Sequence, residues 1–316
     1  MNYHIKRSIL LILLCQILSS PTMKAAVVTT VDITSKLKVP KYKKDVIKDR
    51  LNVIERSVEL KFNREVKRYI NSFVKGGRST TEKILGRSAI YFPIFEYYLE
   101  LYNLPDDLKY LTIIESALET KAISPKGAGG LWQFIRSTAR GYDLKINNYV
   151  DERFDIHKSS EAAARLLSDL FARYEDWSLV IAAYNSGTVN VDRAIKKARS
   201  KDFWKLRKHL PKETQQYVPK FIAASYVMNY YQFYNLRPVY PDYTLQLTTT
   251  TRIYSRYSFK KIAKESGVPI ETIRMLNPGF RRQVIPPSSE GYNLVLPELG
   301  LKEQFDMEQM GLTMLE

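Results

Sequence analysis

The sequence is poor in cysteine, in histidine and in acid. Its 316 residues include one cysteine, Cys15, and three histidines, His4, His157 and His209. A single thiol excludes a disulfide scaffold and a cysteine-ligated zinc site. The histidines are scattered without metal-ligand spacing, so neither a metal centre nor any other cofactor is expected. Asp and Glu number 33 against 49 Lys and Arg, a formal charge of +16. Beyond the N-terminus no apolar run has the length of a bilayer span. With 45% hydrophobic and 26% charged residues, the composition is globular and excludes wholesale disorder or a collagen-like repeat. The length suffices for one large or two modest domains with a real core.

Residues 1–26 read as a signal peptide. Lys6 and Arg7 precede an apolar run from Ser8 to Leu18, the size of a signal core rather than of a membrane span. An uncleaved anchor or a buried helix is the structural alternative. Acylation at Cys15 is a third, opposed by the bulk of Leu14. Removing the leader leaves no cysteine, which suits an oxidising compartment. The expected location is the periplasm or cell envelope, as a soluble or peripherally associated protein.

Residues 27–83 form a basic segment in which Leu51, Ile54, Val58, Phe62, Val66, Tyr69 and Phe73 recur at steps of three and four, reading as one amphipathic helix stopped by Gly76-Gly77. The middle, 84–240, is helical. Pro93 lies near the start of an aromatic helix, Pro105 with Asp106 and Asp107 opens another, and Ser160 begins a third. Asp176 caps a fourth that stops at Gly187. Pro219 interrupts a final run. Residues 245–298, after a linker marked by Pro238 and Pro241, alternate β-prone and helix-prone stretches in the order strand, helix, helix, strand. The tail, 299–316, carries no signal.

The chemistry concentrates in the middle. On a helix Glu115 lies four residues after Leu111 and seven after Leu108, and so projects from an apolar face, where a carboxyl must be neutralised, paired or opened to a cleft. None of Leu111, Thr112, Leu118 and Glu119, its neighbours at three and four residues, is basic, so a raised pKa is expected unless the tertiary fold supplies a cation. A glycine-rich turn follows, in which Trp132 and Gln133 offer a stacking face and an amide, groups suited to an N-acetylated sugar. Singly, each has a plain structural reading: a salt-bridged glutamate, a packing corner, a helix cap at Ser124, a core tyrosine at Tyr184, a surface charge at Glu213.

Together, Glu115-Ser116, the block from Ser124 through Gly127-Ala-Gly-Gly-Leu-Trp-Gln-Phe134, Asp151 to Asp155, Ala183-Tyr-Asn-Ser-Gly187 and Glu213 to Lys220 occur in one order. That pattern resembles the lytic murein transglycosylases, a goose-lysozyme-like group, over roughly residues 84–234. The resemblance implies a mainly α, lysozyme-like catalytic domain. It implies Glu115 as sole catalytic acid, with Ser116, Ser124, Gln133, Tyr184, Asn185, Glu213 and Tyr217 around the substrate. Within that set Ser124 would hydrogen-bond near the acid, Gln133 would line an N-acetyl pocket, Tyr184 and Asn185 the cleft floor, and Glu213 with Tyr217 would support the acid. Leu118-Glu119-Thr120 departs from the family pattern, which leaves the shape of that loop open. The C-terminal unit resembles a LysM module, a small β-α-α-β fold that binds N-acetylglucosamine chains, although Ser255-Arg-Tyr-Ser replaces the usual Gly-Asp-Thr.

The resemblance further implies non-hydrolytic cleavage of peptidoglycan glycan strands, ending in 1,6-anhydro-muramyl products. One carboxyl serves where glycosidases ordinarily use two, because the substrate's own acetamido group replaces the nucleophile. The excess of basic residues points to an anionic polymer, and an exported chain with no nucleic-acid motif points to the wall rather than to nucleic acid. A hydrolytic muramidase, with Asp151, Glu152 or Asp155 as second carboxylate, is the enzymatic alternative. A wall-binding protein without catalysis is the other. The C-terminal module, set after the linker and without an acid matching the cleft motifs, is expected to tether and not to catalyse. The oligomeric state is not legible.

Overall fold

The computed structural model describes residues 39–298 and the backbone of 312–314. The expected signal peptide, with Cys15, and residues 299–311 and 315–316 of the tail lie outside the described residues.

The basic segment forms two helices where one was expected, α1 (Lys44–Ile54) and α2 (Arg64–Asn71). The break is polar in origin. Glu55 Oε2 accepts from the amide of Leu60 (2.7 Å), and Asn63 Oδ1 accepts from those of Glu65 and Val66 (2.8 and 2.9 Å), an N-cap that starts a new helix. Val58 and Leu60 in the break are nonetheless buried. The spacing of apolar residues therefore marked the core and not the continuity of the helix.

A π-helical turn (Ser72–Gly76) leads into α3 (Arg78–Leu101), which runs straight through the expected boundary at residues 83 and 84. Pro93 lies inside α3 rather than near its start. A 3₁₀ turn over Asp106–Tyr110 precedes α4 (Leu111–Ser116), followed by α5 (Arg136–Gly141). α6 (Ile156–Tyr174) starts before Ser160, because Asp155 Oδ1 accepts from the amide of Lys158 (3.0 Å) and caps it earlier. α7 (Trp177–Ser186) has the expected cap, Asp176, and stops at Gly187 with φ +78°. α8 (Thr188–Ala198), α9 (Phe203–Leu206) and α10 (Lys212–Tyr230) complete the helical part. Pro219 sits inside α10 without ending it. Its missing N–H forfeits one backbone hydrogen bond, while burial of Pro219 itself and of Val218, Phe221 and Ile222 around it in the chain keeps the helix in the core.

α7 is the centre of this core, with Leu179 to Ala183 buried in an unbroken run against α6, α8 and α10. Such a run has little amphipathic signature because neighbours cover it on every side. α10 is the shared support, touching α1, α2, α4 and α7. It carries the basic N-terminal helices and the segment of Glu115 on one element.

The C-terminal module has strands β1 (Thr248–Ile253), β2 (Tyr257–Ser258), β3 (Val284–Ile285), β4 (Tyr292–Pro297) and β5 (Leu312–Met314), with helices α11 (Phe259–Ser266) and α12 (Ile270–Leu276). β1 pairs antiparallel with β4, from Thr248 opposite Pro297 to Ile253 opposite Tyr292. β5 adds to the other edge of β1, with Thr251 opposite Met314, so the tail does carry structure. The expected strand–helix–helix–strand order holds, supplemented by β5 and the short β2–β3 pair. Ile253, Phe259, Ile262, Ile273, Ile285 and Leu294 make the module's own core.

The linker is fastened, not free. Val239 N donates to Glu82 O (2.8 Å), and a Cβ on Gly86 of α3 would lie 1.9 Å from Val239 O. The module is also docked on the helical part. Val150 bridges Phe280, Asp151 N donates to Gly279 O (2.9 Å), Arg281 N donates to Tyr149 O (2.8 Å), and Lys145 pairs with Glu290 (2.6 Å).

Candidate active site

α4 is short because Ala117 and Leu118 both take left-handed backbone, at φ +52° and +59°. Leu118 is buried, which offsets the cost of that conformation, and Arg87 of α3 donates to Ala117 O (3.2 Å) while pairing with Glu119 (2.6 Å). This is the stretch that departs from the family pattern. It ends the helix at Ser116 and leaves Glu115, half-buried, at the lip of a cleft of about 830 Å³.

The cleft is lined by residues from α4, the glycine-rich turn, α7 and α10, among them Glu115, Ser124, Gln133, Tyr184, Asn185, Glu213 and Tyr217. Seven of the eight residues expected around the site thus share one cavity. The buried Tyr217 hydroxyl donates a hydrogen bond to Glu115 Oε1. Burial drives the Glu115 carboxyl up, the Tyr217 hydrogen bond pulls it down, Glu213 raises it and Lys220 lowers it; the balance is a pKa of about 7. Burial, and then the charge of Glu115, push the Tyr217 and Tyr184 phenols well above their ordinary value, so both stay neutral donors.

The supporting contacts are specific. Tyr184 Oη donates to Trp132 O (2.7 Å), tying α7 to the turn. Thr214 Oγ1 donates to Asn185 Oδ1 (2.8 Å), tying α10 to α7 and orienting the amide. Gln133, at φ +50°, donates through Nε2 to Ala122 O (3.1 Å) and Gly130 O (2.8 Å), so contact with a ligand falls to its Oε1. Ser124 Oγ accepts from Ala128 N (3.1 Å) and holds the turn rather than the acid. Glu213 is exposed and faces Lys126 across the cleft mouth at 3.7 Å.

Two readings change. Ser116, expected beside the substrate, is buried outside the cleft lining, and its hydroxyl donates to Thr112 O (3.0 Å) and Leu131 O (2.9 Å). On a six-residue helix the position after Glu115 turns inward, and the hydroxyl meets backbone there. Trp132, expected as a stacking face, is 1% exposed, edge-on to Phe95 at 5.1 Å with Nε1 donating to Ser160 (3.0 Å). Its bulk fills the core behind the turn.

Asp151, Glu152 and Asp155 do not line this cleft. Asp151 is paired with Arg153 and Arg281, Glu152 accepts from Lys145 N (2.6 Å), and Asp155 caps α6. Lys126, Lys220 and the half-exposed Ile135 line the cleft and were not singled out in the sequence. Lys220 had a signal, since it lies one helical turn after Tyr217 on the same face of α10.

Residues 93–207 match the model of the transglycosylase SLT domain, and residues 247–308 match that of the LysM-like domain of the lytic transglycosylase MltD. The membrane-bound lytic murein transglycosylase D of Escherichia coli K12 is 37% identical over 198 residues, covering 61% of this chain and 43% of that protein. A putative tributyltin chloride resistance protein of an Alteromonas species is 35% identical over 113 residues, covering 35% of this chain and 54% of its own length. The 70 kDa soluble lytic transglycosylase of E. coli aligns in structure with a TM-score of 0.39 and 24% identity, over 45% of this chain and 24% of that one. The chain spans less than half the length of the first of these relatives. By sequence, then, residues 93–207 are similar to the transglycosylase SLT domain and residues 247–308 to the LysM-like domain of the lytic transglycosylase MltD.

Proposed function

We propose that the chain cleaves the β-1,4 bond between N-acetylmuramic acid and N-acetylglucosamine in peptidoglycan without water, with Glu115 as the sole general acid and base. The reading rests on one observation above all: a half-buried carboxyl in a large cleft, hydrogen-bonded by a buried tyrosine and held near pKa 7.

A pKa near the working pH suits a group that must first give a proton and then take one. Protonated Glu115 donates to the departing glycosidic oxygen while the muramyl acetamido oxygen closes on C1, giving a cyclic oxazolinium. The Glu115 carboxylate, steadied by the Tyr217 hydroxyl, then removes the proton of the C6 hydroxyl of the same sugar. That oxygen attacks C1, expels the acetamido group and closes the 1,6-anhydro ring; the proton returns to Glu115. Gln133 Oε1, Tyr184, Asn185 and Ser124 are proposed to position the glycan strand. The wall polymer implies an envelope location. The similar E. coli protein is named as membrane-bound, and among the described residues no helix is long and apolar enough to cross a membrane.

The hydrolytic alternative loses its candidates, since Asp151, Glu152 and Asp155 have structural partners and lie outside the cleft lining. Mass spectrometry of products from purified sacculi is the test. Anhydro-muramyl ends, one water lighter than lysozyme-type products, are expected. Glu115→Gln should lower the rate by at least about 10²–10⁴-fold while the fold is kept. Mainly reducing muramyl ends would overturn the assignment in favour of a hydrolase.

A further inference from the structure

Asp151 lies where the helical part and the module meet, and it is 1% exposed. Its Oδ1 accepts from Arg153 Nε (2.9 Å), and its Oδ2 from Arg153 Nη2 (2.8 Å) and from Arg281 Nη2 of the module (2.5 Å). Arg153, itself buried, spends its remaining nitrogen on the site. Nη1 donates to the carbonyls of Gly127 (2.7 Å) and Phe134 (3.1 Å). Those two carbonyls bracket the part of the glycine-rich turn that supplies Ala128 and Gln133 to the cleft. The backbone closes in as well, because a Cβ on Gly130 would lie 1.9 Å from Arg153 O.

We infer that the C-terminal module is a working part of the cleft wall: Arg281 seals Asp151, Asp151 fixes Arg153, and Arg153 clamps the turn that carries Gln133. Arg153 and Arg281 are then positioning residues for a site neither of them enters. A buried, bidentate guanidinium–carboxylate pair is rigid and strong because no water competes for it. The docked module keeps it dry, through Arg281 itself and through Gly279 and Phe280 beside it. Lifted off, the module would let water reach Asp151 and reduce the pair to the small value of a surface ion pair. The turn has need of the clamp. Gly127, Gly130 and Gln133 all take positive φ, so its shape is imposed by contacts more than by backbone preference. A tether on a loose linker would leave no buried carboxylate shared between the two parts.

The inference deepens the proposed activity, and its test separates the two. Full-length Arg281→Gln, Arg281→Lys and Glu290→Gln are compared with wild type by amide hydrogen exchange over residues 127–134 and by kcat and KM on a soluble muropeptide. Arg281 is partly exposed, so its replacement spares the core. Arg281→Gln should speed exchange of the Gly129 and Gly130 amides, which are bonded to Phe134 O and Ala122 O, and lower kcat by about 3- to 30-fold. Arg281→Lys should recover much of both. Glu290→Gln breaks the exposed docking pair with Lys145, which touches neither Asp151 nor the turn, and should leave exchange and kcat as in wild type. Unchanged exchange and kcat in Arg281→Gln would overturn the inference, as would an equal loss in Glu290→Gln. A wild-type chain that releases no muropeptide would instead sink the proposed activity, with the exchange comparison still deciding the clamp.

Discussion

Around Glu115, charges from two directions meet a carboxyl already raised by burial, and each has a sign that kinetics reads. Glu213 raises its pKa and Lys220 lowers it. In the proposed mechanism the first step needs the protonated acid, so activity should fall as pH rises through about 7. Glu213→Gln removes the raising charge and should move that alkaline limb to lower pH; Lys220→Met should move it to higher pH. Both groups sit at an open cleft, so each shift should stay below about one pH unit and shrink in salt. Profiles of kcat/KM against pH that move together, or not at all, would contradict the assignment. Stability carries the same sign. The folded chain holds the Glu115 proton more tightly than the unfolded chain, for which about 4.5 is the ordinary value, so its contribution is full below that pH and is lost as pH rises through about 7. Glu115→Gln does not titrate. Urea unfolding should find it close to wild type at about pH 4 and more stable by up to about 3 kcal/mol above pH 7.

Among the elements, α3 and the linker show how a glycine can oppose its own propensity. Gly86 lies in a helix interior, where alanine ordinarily stabilises by about 1 kcal/mol. Here the added methyl would fall 1.9 Å from Val239 O, against backbone that is held by Glu82. Gly86→Ala should therefore destabilise, by about 1–3 kcal/mol, by forcing the linker off the helix. Chemical denaturation at constant pH measures it, and a stabilised variant would show that the linker yields freely. α10 makes a second point about elements. One helix presents Tyr217 and Lys220 to the cleft and also packs against α2 and α4, so the site's electrostatics and the core share a frame.

For the whole molecule, the charge of +16 and the carboxylates of peptidoglycan stem peptides suit one another. Sedimentation with sacculi should show binding that weakens steadily as salt is raised, equally in wild type and Glu115→Gln, if capture rests on the basic surface and chemistry on Glu115 as proposed. Binding indifferent to salt would show that the basic surface serves something else. The two cores, one helical and one in the module, bury their own apolar residues separately, and the seam between them adds directed polar contacts, Asp151 with Arg281 and Lys145 with Glu290, to apolar ones such as Val150 against Phe280. The polar contacts of that seam set a defined orientation, since hydrogen bonds and ion pairs have directions that apolar contact lacks.

The sequence alone determined what local chemistry governs. Glu115 on an apolar helical face, the Asp176 cap and Gly187 stop, the glycine-rich turn and the strand–helix–helix–strand order of the module all follow from near neighbours along the chain. Tertiary structure decided the rest. It buried Ser116 and Trp132 and brought Lys220 within reach of Glu115, whereas the caps at Asn63 and Asp155 that divide α1 from α2 and start α6 early are local and were simply not read. It also turned Asp151 from a candidate catalyst into the shared counter-ion of Arg153 and Arg281, which are close to it and far from it in sequence. The physical reason is range. Capping, φ preference and helical periodicity act over a few residues, whereas burial and charge pairing act over a few ångströms, and only the folded chain says which residues those ångströms join.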